Sequence, residues 1–93
     1  MLKKDKEDHM TSLFNRIVRS KTPVEECKGF RVIDYKDIND KKACRLSVIS
    51  QTTPEPYCVE IVEDLRGNAS QLYKCTTKTF AALSSVRAFF ECL

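Results

Sequence analysis

The side chains best suited to chemistry in this 93-residue chain are its five cysteines, Cys27, Cys44, Cys58, Cys75 and Cys92. An odd number excludes complete internal pairing. No two form a CxxC motif, and His9 is the only histidine. The short Cys/His spacing of a structural zinc site is therefore missing. In a reducing compartment such cysteines read as small buried hydrophobes. A cysteine nucleophile also needs a base within hydrogen-bond reach and a group to orient that base. His9 lies in the charged stretch LKKDKEDH beside no such partner and reads as solvated. The acidic pairs Glu25/Glu26 and Glu63/Asp64 fall at connector and strand-end positions and read the same way. Gly29 and Gly67 are the only glycines, and neither lies in a phosphate-loop context. Asp37, Asn39 and Asp40 lack the glycine and distal glutamate of a calcium loop. The expectation is a protein that is not an enzyme, with no catalytic residues, cofactor, metal or small-molecule substrate.

The charge balance is equally plain. A net charge of +3 comes from basic residues interleaved with acids, which reads as a solvated surface. Nucleic-acid binders usually carry a denser basic stripe or stacking aromatics, so nucleic acid is not an expected partner. No run approaches the roughly 18 apolar residues of a membrane span. No apolar block follows the N-terminal lysines, so no secretory signal is read and the chain is expected to be intracellular. The acceptor-like triplet Asn68-Ala69-Ser70 then reads as helix-capping chemistry rather than a glycosylation site.

The elements that must hold these residues follow from periodicity. Met10, Leu13, Phe14, Ile17 and Val18 recur at i, i+3, i+4, i+7 and i+8, which predicts an amphipathic helix over residues 4–20, ended before Pro23. FRVIDY, ACRLSVIS and YCVEIVE alternate at period two and predict strands. KDINDKK, QTTPEP and DLRGNAS read as turns or loops. On the second strand Cys44, Leu46 and Val48 face one way, Arg45, Ser47 and Ile49 the other. On the third, Tyr57, Val59 and Ile61 oppose Cys58, Glu60 and Val62. Short connections favour an antiparallel meander with one face packed and one partly wet. SQLYKCT reads as a helical turn or as a fourth strand. TKTFAALSSVRAFFECL predicts a C-terminal helix, with Thr77 or Thr79 as N-cap and Phe80, Leu83, Val86 and Phe90 as its core-facing residues. The predicted fold class is α+β: an N-terminal helix, a three- or four-stranded antiparallel meander, and a C-terminal helix packed on the sheet. Residues 1–22 are expected to form the amphipathic helix, a possible coiled-coil remnant, and residues 23–93 a single globular domain.

The closing stretch KCTTKTFAALSSVRAFF resembles the end of the small kinetochore subunit in the spindle-pole-component-twenty-five family. Lys74 and Thr76 stand at the family's polar turn, Ala82-Leu83 where Phe-Leu is usual, Val86-Arg87 at an apolar-Arg pair, and Phe89-Phe90 near a final Ala-Phe. The helical lead-in, the meander with its TTPEP loop and the terminal helix resemble that family's layout. The resemblance implies an RWD-like domain that pairs with a homologous small subunit as a heterodimer. It also implies docking of the complex onto an inner-kinetochore protein, hence a nuclear, chromosomal location and a role in chromosome segregation. Met10, Leu13, Phe14 and Ile17 are then the residues expected to meet the partner helix. The alternative from the residues themselves is a general adaptor or homodimeric interaction protein of similar shape, or a small RNA-associated domain. The expected function is a non-enzymatic protein–protein assembly module.

Overall fold

The computed structural model describes residues 12–50, 52–65 and 72–93. In chain order these form a short helix α1 (Leu13–Val18), a 3-10 turn (Pro23–Glu26), strands β1 (Arg31–Asn39), β2 (Lys42–Val48), β3 (Tyr57–Asp64) and β4 (Tyr73–Phe80), and helix α2 (Leu83–Glu91). The four strands lie in sequence order, every neighbouring pair antiparallel. The expected α+β fold of helix, antiparallel meander and helix is what the chain adopts.

The two helices cover opposite faces of the sheet. The strand alternation read from sequence sets this up. Ala43 and Val62 project to one face, where Phe14, Ile17 and Val18 of α1 pack on them with Tyr35 and Tyr73 at the margin. Cys44, Leu46 and Val59 project to the other face, beneath Val86 and Phe90 of α2. The wet face expected of the meander is thus covered by α1.

Helix α1 is shorter than the predicted helix over its described part. Ser12 Oγ accepts from the Asn15 N–H at 3.4 Å at its start. Arg19 ends it in a left-handed conformation with φ 66°, a common helix stop. Met10 and the charged residues before it lie outside the described residues, as do Asn68 and Ser70.

Strand β1 runs on through most of the stretch expected to turn, and only Asp40 and Lys41 connect it to β2. Its register slips between Val32 and Asp34 and again between Asp37 and Asn39. Each slip inserts one extra residue, as a β-bulge does. The first keeps Ile33 toward α2 but carries Tyr35 across to α1, separating two residues expected on one face.

The end of the chain differs most from expectation. Residues 73–80 form β4, so the strand alternative for SQLYKCT is the correct one and TKTF is strand rather than helix. Helix α2 starts at Leu83, with Ala82 as an N-cap that supplies no side-chain bond, in place of Thr77 or Thr79. Val86 and Phe90 are buried as expected, and Phe80 is half-buried against Phe89 with ring centroids 5.2 Å apart. Leu83 is 43% exposed and leaves the core set. It opens the helix, one turn before Val86 reaches the sheet. At the other end Lys36 Nζ donates to the Phe90 and Glu91 carbonyls at 3.2 and 2.9 Å. A cation at a helix C-terminus satisfies carbonyls that have no partner within the helix.

Between sheet and α1 lies a buried polar cluster. Arg45 and Glu60 are 2% and 0% exposed and stand directly opposite each other in the β2–β3 register. Arg45 Nε donates to Glu60 Oε1 at 2.8 Å, Nη1 to Glu25 Oε2 at 3.0 Å, and Nη2 to Thr22 Oγ1 at 3.1 Å. Thr22 donates in turn to Glu60 Oε2 at 2.7 Å. The Phe14 and Phe30 rings flank the guanidinium at 4.5 and 5.0 Å. Burial works against the Arg45 charge, but Glu60 and then Glu25 outweigh it and hold its pKa above the ordinary value. Ser47, on the same face, keeps a buried hydroxyl without a hydrogen-bond partner among the described residues.

Removing one member of such a cluster leaves an uncompensated buried charge. Arg45→Met is expected to lower unfolding free energy by about 3–5 kcal/mol in urea titrations, with part of the loss recovered in Arg45→Met/Glu60→Leu. The same assay separates the two ends of α2. Phe90→Ala should cost about 3–5 kcal/mol, whereas Leu83→Ala should stay within roughly 0.5 kcal/mol of the parent.

Candidate functional site

Of the residues expected to meet a partner helix, Met10 lies outside the described residues and the other three pack on the sheet. Phe14 and Ile17 are 1% and 3% exposed and packed on the sheet, and Leu13 is half-buried beside them. They hold α1 to the core, where the sheet presents Ala43 and Val62 to be covered. The boundary expected after residue 22 falls within the buried cluster, since Thr22 and Glu25 both bind Arg45.

The cysteines separate by burial. Cys44 and Cys58 are buried, Cys27, Cys75 and Cys92 exposed, and all five are free thiols. Burial pushes the Cys44 thiol up to about 11 and the Cys58 thiol up to about 12, from an ordinary 9.0. Cys75 is also raised, chiefly by desolvation. These shifts disfavour thiolate, the reactive form. Among the described residues no group of three or more His, Cys, Asp or Glu side chains is placed to hold a metal ion. Among them, too, no helix is long and apolar enough to cross a membrane.

What the fold does build is a groove of about 420 Å³ on the α2 face, at the end where β1 begins, β2 ends and β3 begins. Ile33, Val48, Pro56, Tyr57 and Leu83 give it apolar walls, and Arg31 and Arg87 flank them. Each element has a reason to reach this point. Gly29 brings the connector against the β2–β3 loop, where an added Cβ would lie 3.1 Å from the Ser50 Cα. Arg31 then pairs with Val48, and the first bulge turns Ile33 inward beside them. The Pro56 carbonyl accepts from the Ile49 N–H at 2.8 Å, closing the loop so that Tyr57 starts β3 at the groove. Helix α2 brings Leu83 and Arg87, one turn apart.

The electrostatics of the groove are one-sided. Neither of its two charged lining residues is acidic. Asp34 approaches Arg87 at 3.9 Å, but both side chains are about half exposed, and such a loose pair contributes little. Glu55 is engaged elsewhere, accepting from Thr79 at 2.6 Å. The exposed Arg87 guanidinium and the solvent-facing Leu83 together offer an apolar contact with a positive rim.

Sequence reasoning selected Leu83 as core and noted Arg87 as a helix residue within an apolar turn. It did not group them with Arg31, Ile33 or Tyr57, because the five come from three separated segments, β1, β3 and α2. The one local signal was an arginine between the apolar residues Val86 and Ala88 of the helix.

Searches against models of protein families, curated proteins and solved structures return no match for this chain.

The thiol environments are open to a direct check. In the native protein, alkylation at pH 8 should label Cys27, Cys75 and Cys92, while Cys44 and Cys58 react only after unfolding, as read by peptide mass mapping. The linkage has a definite sign. Thiols raised in the folded state favour it fully below about pH 9 and lose that contribution as pH climbs toward 12.

Proposed function

We propose that this chain is a non-enzymatic protein–protein assembly module whose groove docks a short segment of a partner protein, with an apolar side chain beside carboxylates. The observation that carries this reading is the pairing of an apolar wall (Ile33, Val48, Tyr57, Leu83) with two guanidiniums that have no strong partner among the described residues. Arginine at the rim of an apolar contact gives a carboxylate two parallel donors. The apolar wall supplies burial.

Within that class, a kinetochore subunit that pairs with a homologous small subunit, and that docks its complex onto an inner-kinetochore protein in the nucleus, is supported by the resemblance of the terminal helix. Leu83, Val86-Arg87 and Phe89-Phe90 all fall in or beside the first two turns of α2. A general adaptor is favoured by a different observation. The apolar stripe of α1 is consumed by the sheet, so the described residues leave no helical seam for a coiled-coil partner.

Two measurements test these readings. A blocked pentapeptide with leucine at its centre and aspartates on both sides should bind, as followed by fluorescence anisotropy. Arg31→Glu/Arg87→Glu should weaken that binding by about tenfold or more, roughly 1.4 kcal/mol, with the melting temperature unchanged. Equal binding by parent and variant would refute the groove as the docking site. Light scattering after co-expression with small kinetochore subunits decides the assembly. A one-to-one complex supports the kinetochore reading, and a lone chain leaves the general adaptor.

A further inference from the structure

The two edges of the sheet are built differently. Strand β1 is interrupted by two register slips, and its Lys36 is tied across the sheet to the α2 carbonyls. Bulges of this kind protect an edge from pairing. Strand β4 keeps one unbroken antiparallel register with β3, from Tyr57↔Phe80 to Asp64↔Tyr73. Among the described residues it is bonded on one side only. Lys74, Cys75, Thr76, Thr77 and Lys78 are all exposed. The strand has no proline or glycine and carries three β-branched threonines, a composition that suits pairing along its length.

We propose that the free edge of β4 is a strand-addition site that takes an extended acidic segment of a partner protein. The backbone of β4 supplies the affinity through a new ladder of N–H and C=O bonds, as in other strand-addition sites. The side chains supply the selection. Lys74 and Lys78 stand on the α2 face of the strand, four residues and about 13 Å apart; β4 itself carries no acid, Glu63 of β3 lies opposite Lys74, and Val59 lies opposite Lys78. The Phe89 and Phe80 rings hold the Lys78 ammonium at 5.1 and 5.8 Å, close to the edge. A matching strand carries two carboxylates four residues apart, with a small or β-branched residue between them opposite Thr76. Thr79 is already bonded to Glu55, so the added strand spans residues 73–78.

The same lysines select against a second copy of this chain. Two β4 strands paired about Thr76 would set Lys74 of each against Lys78 of the other. Like charges directly opposed across strands are destabilising.

The test uses the full chain labelled with ¹⁵N and a blocked nine-residue peptide of threonines and valines with two glutamates four residues apart. Amide resonances of residues 73–80 should shift, and alternate β4 amides should gain about tenfold or more protection from hydrogen exchange. The same peptide N-methylated at alternate residues keeps its charges but cannot form a ladder, and it should not bind. Lys74→Glu/Lys78→Glu should weaken binding by about tenfold or more, and the milder Lys74→Gln/Lys78→Gln should show an intermediate loss. Binding of the groove pentapeptide should be unchanged in both, so failure of one site is separable from failure of the other. Equal binding by the N-methylated peptide, shifts confined to Arg31, Leu83 and Arg87, or no shift at all would overturn strand addition. So would pairing of the unliganded chain with itself through β4.

Discussion

The ion pair between Arg45 and Glu60 is the constraint around which the rest is arranged. Two charged residues opposite each other on the central strands cannot face an apolar layer unless every donor and acceptor is met. Here they are met from outside the sheet. Thr22 bridges the pair, Glu25 takes the remaining amine, and Phe14 and Phe30 close over the guanidinium. The helix and 3-10 turn before the sheet are thereby fixed to its middle. That lets one short helix cover the β1–β3 part of that face. It also fixes Phe30, and so the start of β1, at the edge of the groove.

With α1 committed to that face, α2 is left to serve the other. Its burial is graded along its length. Phe90 and Val86 are in the core, and Leu83 faces outward at the groove. Lys36 secures the far end by binding the last carbonyls. A helix anchored at its C-terminus and open at its N-terminus presents Leu83 and Arg87 on a rigid support. Binding side chains are held more accurately on such an element than on a loop.

The strands whose two faces carry different chemistry were legible from sequence. Cys44, Leu46 and Val48 against Arg45 and Ser47 gave β2 its correct faces, as Val59 and Ile61 against Glu60 did for β3. Strand β4 carried no such contrast, because Lys74, Thr76 and Lys78 on one face and Cys75 and Thr77 on the other are all exposed. Phe80 also falls three residues before Leu83, which imitates a helical stripe. The threonine-rich composition was the surviving signal for a strand. The polar face of β2 and β3 was read as wet because alternation reports chemistry and not cover. Only the register, which places Arg45 on Glu60, shows that the polar residues satisfy each other. The candidate groove was the least legible part. Its walls come from three strand ends, a loop and a helix, and no local pattern records their meeting.

The order in which the elements occur along the chain has a consequence for synthesis on the ribosome. In the meander each strand pairs with its predecessor, so the hairpins can close one after another as the polypeptide emerges, with little loop entropy to overcome. The α1 side can be sealed as soon as β3 delivers Glu60 to Arg45. The opposite side cannot. Leu46 and Val59 wait for Val86 and Phe90, and Lys36 binds carbonyls 54 and 55 positions further on. Until α2 docks, Leu46 and Val59 lack the cover that Val86 and Phe90 give them. The apolar core on that side is thus completed by the element that comes last among the described ones.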